Sequence, residues 1–141
     1  MRFWNTVPIS LLLLSAYCYG ADPVYSIHTL AGSASVGDNG PASSAVLTTI
    51  QGLALDSAGN LYLSDTDAHR VRRIGTDGVI RTIAGTGAAG FSGDGGPADK
   101  AQLRNPYGLA FDWKGNFYIA DLGNARIRKV TPDGVISQYL T

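Results

Sequence analysis

Glutamate is absent from this chain: all eleven acidic residues are aspartates. Methionine occurs once, as the initiator, and cysteine once, as Cys18. Histidine is limited to His28 and His69, at non-equivalent places in the chain. Each shortage excludes something. Without a second cysteine there is no internal disulfide, so burial and hydrogen bonding must hold the fold. Two scattered histidines and no glutamate are a poor supply of clustered metal ligands and general bases. Glu and Met favour helices, whereas Asp and the 18 glycines favour turns. The balance predicts an all-β fold with many turns.

Long apolar runs are scarce as well. One runs from Val7 to Ala16, after Arg2, and is too short to span a bilayer as a helix. With Cys18 and Gly20 at the −3 and −1 positions of a cut before Ala21, residues 1–20 read as a secretory signal peptide. Tyr17 stands where a lipoprotein would need a small residue before Cys18, which argues against lipidation. The expectation is a secreted or periplasmic mature chain, 21–141, with no membrane span. That segment has ten basic and eleven acidic residues. With no basic excess, it is a poor match for nucleic acid.

What is present is a repeat. The stretch from Gly52, GLALDSAGNLYLSDTDAHRVRRIGTDGVIRTIAG, aligns 56 residues on with GLAFDWKGNFYIADLGNARIRKVTPDGVISQYLT from Gly108. The offset holds for Asp56/Asp112, Asn60/Asn116, Asp65/Asp121, Arg70/Arg126 and Asp77/Asp133, and for the Gly-Pro-Ala at Gly40 and Gly96. Upstream the first copy is three residues shorter. Repeat one covers about 29–81 and repeat two about 82–137. Each reads as four short strands bounded by Gly, Asn and Asp, with Asp77-Gly78 and Asp133-Gly134 suited to tight hairpins. Four antiparallel strands per repeat describe one blade of a β-propeller.

The pattern Gly-Leu-Ala-Phe-Asp-x-x-Gly-Asn-Phe-Tyr-Ile-Ala-Asp-x-x-Asn-x-Arg-Ile, Gly108 to Ile127, closely resembles the NHL repeat. The likeness extends over residues 25 to 141, with one departure, Ala68 where the second copy has Asn124. The GFSGDGGPA insert resembles that of a bacterial exported subgroup. The resemblance implies a six-bladed propeller, of which this chain supplies two blades plus one strand, VYSIHTLAG. The shortage of general bases and metal ligands makes the expectation a non-catalytic module that binds protein, peptide or glycan through its loop-bearing face.

The glycine-rich segment invites a different reading. Gly85-x-Gly87-x-x-Gly90 follows a strand, as a dinucleotide fingerprint would, but Phe91 to Pro97 cannot open the helix such a site needs. A calcium loop would want oxygen side chains at alternating positions, and Gly93 and Gly95 flank Asp94. No cofactor or metal is therefore assigned. The structural reading makes Pro97 the first residue of a helical turn, Ala98 to Gln102, as Pro41 is for Ala42 to Val46. Leu103 and Leu47 tuck beneath as core, and Asp94 and Asp38 cap backbone amides. Blade topology places this insert on the face of the DTDAHR and DLGNAR turns, and insertions gathered on one face often mark a binding face.

Three further groups of residues invite a functional reading. Asp65 and Arg70, like Asp121 and Arg126, read as a turn carboxylate and a bridging arginine, because catalytic sets are unique whereas repeated units share structural contacts. The run Arg70, Arg72, Arg73 and its counterpart Arg126, Arg128, Lys129 lie within strands of a neutral chain, without interleaved aromatics. Tyr107 and Trp113 flank a strand near turns and could meet a glycan or peptide, although Ser57 replaces Trp113 in the first copy.

No catalytic residues are assigned, and no nucleophile elbow is present. The alternative is a fragment of a lyase- or lactonase-type propeller whose catalytic residues lie in further blades. Two blades leave two sheet faces uncovered, which suggests a piece of a longer propeller or a homotrimer closing a six-bladed ring. The surplus leading strand favours the longer propeller.

Overall fold

The computed structural model describes residues 37–141. The leader, the strand VYSIHTLAG and His28 lie outside the described residues.

Eight strands follow in order: β1 (Ile50–Leu55), β2 (Leu61–Asp65), β3 (Arg70–Ile74), β4 (Ile80–Ala84), β5 (Pro106–Phe111), β6 (Phe117–Asp121), β7 (Arg126–Val130) and β8 (Ile136–Leu140). They form two antiparallel sheets, β1-β2-β3-β4 and β5-β6-β7-β8, each a meander built from one repeat. The only helical pieces among the described residues are three-residue 3-10 turns, as a chain without glutamate suggests.

The repeat's most regular signature, Asp-x-x-Gly-Asn-x-Tyr, is the β1–β2 turn and its image between β5 and β6. Asp112 Oδ1 accepts from the amides of Lys114 and Asn116, both at 2.9 Å. Its Oδ2 accepts from Asn116 Nδ2 at 2.8 Å and from the Tyr118 hydroxyl at 3.1 Å. Asp56 repeats the set with Ala58, Asn60 and Tyr62. Gly59 and Gly115 have φ of 83° and 80°, where a Cβ would be strained. The hydrogen bonds from Asn116 hold the Asp112 carboxyl below its ordinary 3.8, against a smaller opposing effect of desolvation. A depressed carboxyl stabilises fully above its unfolded value and loses that contribution as pH falls through the folded one. Asp112→Asn is therefore expected to flatten the decline of the urea midpoint below pH 3.8; an unchanged acid limb would refute the role.

Side-chain alternation gives each sheet two faces. One face of the first sheet, with Tyr62, Val71 and Ala84, packs on the second sheet's Phe117, Ile119, Val130 and Ile136. Tyr62 lies 4.8 Å from the Phe111 ring and 5.1 Å from that of Phe117, bridging the blades with an aromatic trio. Near the inner strands, Thr66 Oγ1 donates to Pro106 O at 2.7 Å, and the Asn105 amide donates to His69 Nδ1. Gly52 approaches so closely that a Cβ there would lie 2.0 Å from Tyr107 O.

The outer faces show what packing does. Leu53 and Leu55 are 62% and 61% exposed, whereas their images Leu109 and Phe111 pack against the core. On the far side of the second sheet, Tyr139 and Leu140 are exposed.

Candidate functional site

The glycine-rich connector does not loop freely. It leaves β4, and its Gly85 and Thr86 amides donate to the carbonyls of Ala98 and Ala101, while the Gly90 amide donates to Leu103 O. Three amides of the apparent phosphate fingerprint are thus engaged by the connector itself. Its middle then runs to the opposite end of the neighbouring sheet. Gly95 N donates to Ile136 O, Ile136 N to Gly96 O and Ala98 N to Gly134 O, with a bridge between Pro97 and Val135. Ala98, Ala101 and Leu103 are buried between the blades. The insert as a whole therefore does not share the face of the β2–β3 and β6–β7 turns; only the parts flanking that middle do, where Arg70 Nη2 donates to Thr86 O, Asn124 Nδ2 to Gly90 O and the Gly123 amide to Arg104 O.

Several sequence expectations need correction here. The helical turn covers Ala98–Lys100, not Ala98 to Gln102, and Pro97 stands before it with ψ of 133°. The chain turns extended at Ala101, because Gln102 and Leu103 bridge back to Ser92 and Ala89. The first-copy turn is likewise Ala42–Ser44. Leu103 is fully buried but Leu47 only half-buried, since Leu103 lies in the wedge between two blades. Asp38 and Asp94 do not cap amides; they pair with buried arginines.

Those arginines are Arg72 and Arg128, not Arg70 and Arg126. Arg128 is fully buried. Its Nη2 lies 2.6 Å from Asp94 Oδ1 and its Nη1 3.5 Å from Asp121 Oδ2. It also donates to Gln102 O and Ser92 O, and the Phe91 ring covers it at 4.7 Å. Asp121 is equally buried and accepts from the Arg104 amide and Asn124 Nδ2. In the first blade Arg72 joins Asp38 at 2.8 Å and Asp65 at 3.6 Å. Ala68 cannot offer the amide that Asn124 does; there Asp65 accepts from Thr48 instead, and Thr49 Oγ1 donates to Asp67. A carboxylate on the connector, an arginine on the third strand and a carboxylate ending the second strand thus clamp connector to blade. All three recur 56 residues apart, Asp38/Asp94, Asp65/Asp121 and Arg72/Arg128, a signal the sequence carried. Arg70 and Arg126 serve locally, Arg126 donating to Gln138 and to Asn124 O.

Two large apolar side chains remain outward among exposed polar ones such as Asp67 and Arg104. Leu122, on the β6–β7 turn, is 61% exposed, and Tyr107, at the start of β5, 43%. Topology puts them at the same end of the second blade. Trp113, 89% exposed under Lys114, is at the other end of β5, so the structure separates it from Tyr107. Among the described residues, no group of three or more metal-ligating side chains is close enough to hold an ion, and no helix is long and apolar enough to cross a membrane.

Two stacked four-stranded meanders, wedged apart by connectors and clamped through buried arginines, are neighbouring blades of a β-propeller. The family model of the teneurin NHL domain matches residues 87–141. Human teneurin-1 is 36% identical over 98 residues, covering 60% of this chain and 4% of its own. Protein SUPPRESSOR OF QUENCHING 1, chloroplastic, of Arabidopsis thaliana is 34% identical over 126 residues, covering 86% of this chain and 11% of that protein. Among solved structures, a protein of unknown function from Bacteroides thetaiotaomicron superposes with a TM-score of 0.56 at 26% identity, over 67% of this chain and 22% of that one. An auxiliary nutrient binding protein from Bacteroides ovatus gives 0.55 at 25%, over 73% and 26%. The chain belongs to the NHL-repeat family, and it spans a small part of each of these relatives.

Proposed function

We propose that the chain is an exported, non-catalytic NHL propeller module, part of a longer propeller, that binds protein, peptide or glycan through its turn-bearing face. One observation carries this reading: Leu122 and Tyr107 are exposed at that end of the second blade, where the first repeat has Thr66 and Gln51. The recurring Asp and Arg side chains are engaged in holding connectors to blades, so the repeated polar sets need no catalytic explanation. An exposed apolar pair that departs from the repeat is what a recognition surface offers. The likeness to an auxiliary nutrient binding protein of Bacteroides ovatus agrees with a binding role, although that protein is far longer.

The test is a glycan and peptide array probed with the full chain, then with Leu122→Asp. Selective binding lost by at least tenfold in the variant, with unchanged melting, is expected. Binding that ignores the substitution would move the site elsewhere, and turnover of an array ligand would replace this reading with an enzymatic one.

A further inference from the structure

A polar cleft of about 350 Å³ lies along the outer edge of the first blade, at the small end of the roughly 300–1,000 Å³ usual for ligand pockets. Asn39, Arg70, Arg81, Thr82, Thr86 and Lys100 are among its lining. Its floor is a strand edge. β4 is the outermost strand of its sheet, and an outermost strand offers unpaired backbone groups. Ile80 turns its amide and carbonyl outward, to Gly40 O at 3.0 Å and from Asn39 N at 2.8 Å. Alternation along the strand turns those of Thr82 the same way, and no backbone partner meets them among the described residues. Beyond, the Gly85 amide is engaged by Ala98 O. One residue of free edge is therefore framed between two connector contacts.

Two further observations mark this window. Thr82 Oγ1 is buried yet has no hydrogen-bond partner, the kind of orphan that calls for an explanation. The charged lining has cations to spare. Asp38 is held by Arg72 and Asp99 by Lys100, at 3.1 Å. Arg70 spends Nη2 on Thr86 O, and Arg81 reaches Asp77 only at 3.4 Å on an exposed surface. The second blade lacks the arrangement: Ser137 and Gln138 replace Arg81 and Thr82, and Gln138 Oε1 accepts from Arg126 Nε at 3.0 Å. The clamp that holds connector to blade recurs in both blades. This arrangement does not.

We propose that the outer edge of β4 binds a short, extended, acidic peptide. The peptide backbone pairs with the N–H and C=O of Thr82 by strand addition, and flanking carboxylates meet Arg70 and Arg81. Free backbone groups favour a peptide over a sugar, and no aromatic ring lines the cleft to stack on a sugar face. The site is on the sheet edge, apart from Leu122 and Tyr107, so it stands or falls independently of the turn-face reading.

The probe is acetyl-Asp-Val-Asp-Val-Asp-amide, titrated into the full chain by calorimetry at low salt. It should bind at least tenfold more tightly than the lysine-for-aspartate version. A fully N-methylated version, which cannot donate to an edge, should not bind. Arg81→Ser should weaken binding about tenfold, and Trp113→Ser, on the exposed far end of the other blade, should leave it unchanged. No binding, equal binding of both charge versions, or binding that survives N-methylation would overturn the proposal. Displacement of the peptide by an oligogalacturonate that itself binds more tightly would transfer the cleft to acidic sugars. The N-methyl comparison needs no variant, so a misfolded Arg81→Ser cannot obscure the result.

Discussion

Replacing Arg128 with methionine is expected to cost about 3–5 kcal/mol of unfolding free energy, the usual penalty for stranding a buried charge. Asp121 is fully buried, and without the guanidinium its carboxylate keeps two hydrogen bonds but loses the opposite charge. A single domain commonly has 5–15 kcal/mol in all, so the loss is severe and shows directly in the urea midpoint. Asp94 is 39% exposed at its side chain, and water can replace part of what the arginine supplies. Asp94→Ala should therefore cost only about 1 kcal/mol, near the range for exposed pairs. The sharper control removes every charge together. Arg128→Met with Asp121→Leu and Asp94→Leu should recover most of the stability, because well-packed apolar groups often match a buried ionic set. If Arg128→Met changes the unfolding free energy by less than about 0.5 kcal/mol, the value of an ordinary surface change, the clamp is not what holds the connector.

The second large effect concerns a pair of glycines that the repeat makes equivalent. Gly52→Ala should cost about 1–3 kcal/mol, as overpacking does, because the new methyl group would press on the backbone oxygen of Tyr107. Backbone cannot swing aside as a side-chain tip can, so the inner strands of the two blades would have to separate. Gly108→Ala, 56 residues on, meets nothing nearer than the Ala120 methyl at 3.7 Å, an ordinary contact. It should fall within about 0.5 kcal/mol of the parent. Thermal melts of both variants read the contrast in one chain. Equal tolerance would mean the blades do not dock as described. Equal damage would mean another inner strand lies over Gly108 in solution.

The strands and their hairpins were legible because local rules and the fold agree. Asp77-Gly78 and Asp133-Gly134 turn with glycine φ of 73° and 85°, and alternating apolar residues such as Leu61 and Leu63 set the sheet faces. The repeat itself was the strongest evidence for blades. The connector was not legible, since glycine, serine and aspartate describe a turn equally well whether it floats or fills a wedge. Arg128 was missed for a related reason. An arginine in a strand reads as surface, and burial of the whole side chain depends on Phe91 and Asp94, which arrive from far along the sequence. Trp113 was legible as a surface residue, since Ser57 takes its place in the first copy, and its ring is exposed; that it lies at the opposite end of β5 from Tyr107 follows only from the register of the strand.

The clamp also defines what a gene could duplicate. Asp94 precedes the blade whose Arg128 it neutralises, and the same connector shields that blade's outer edge through Pro97 and Val135. The heritable unit is therefore connector followed by blade, not blade followed by connector. Each copy arrives with its counter-ion and its edge cover already in place. Adding or deleting one such unit leaves no buried charge unmatched, so arrays of this kind can change length in evolution without passing through an electrostatically broken intermediate.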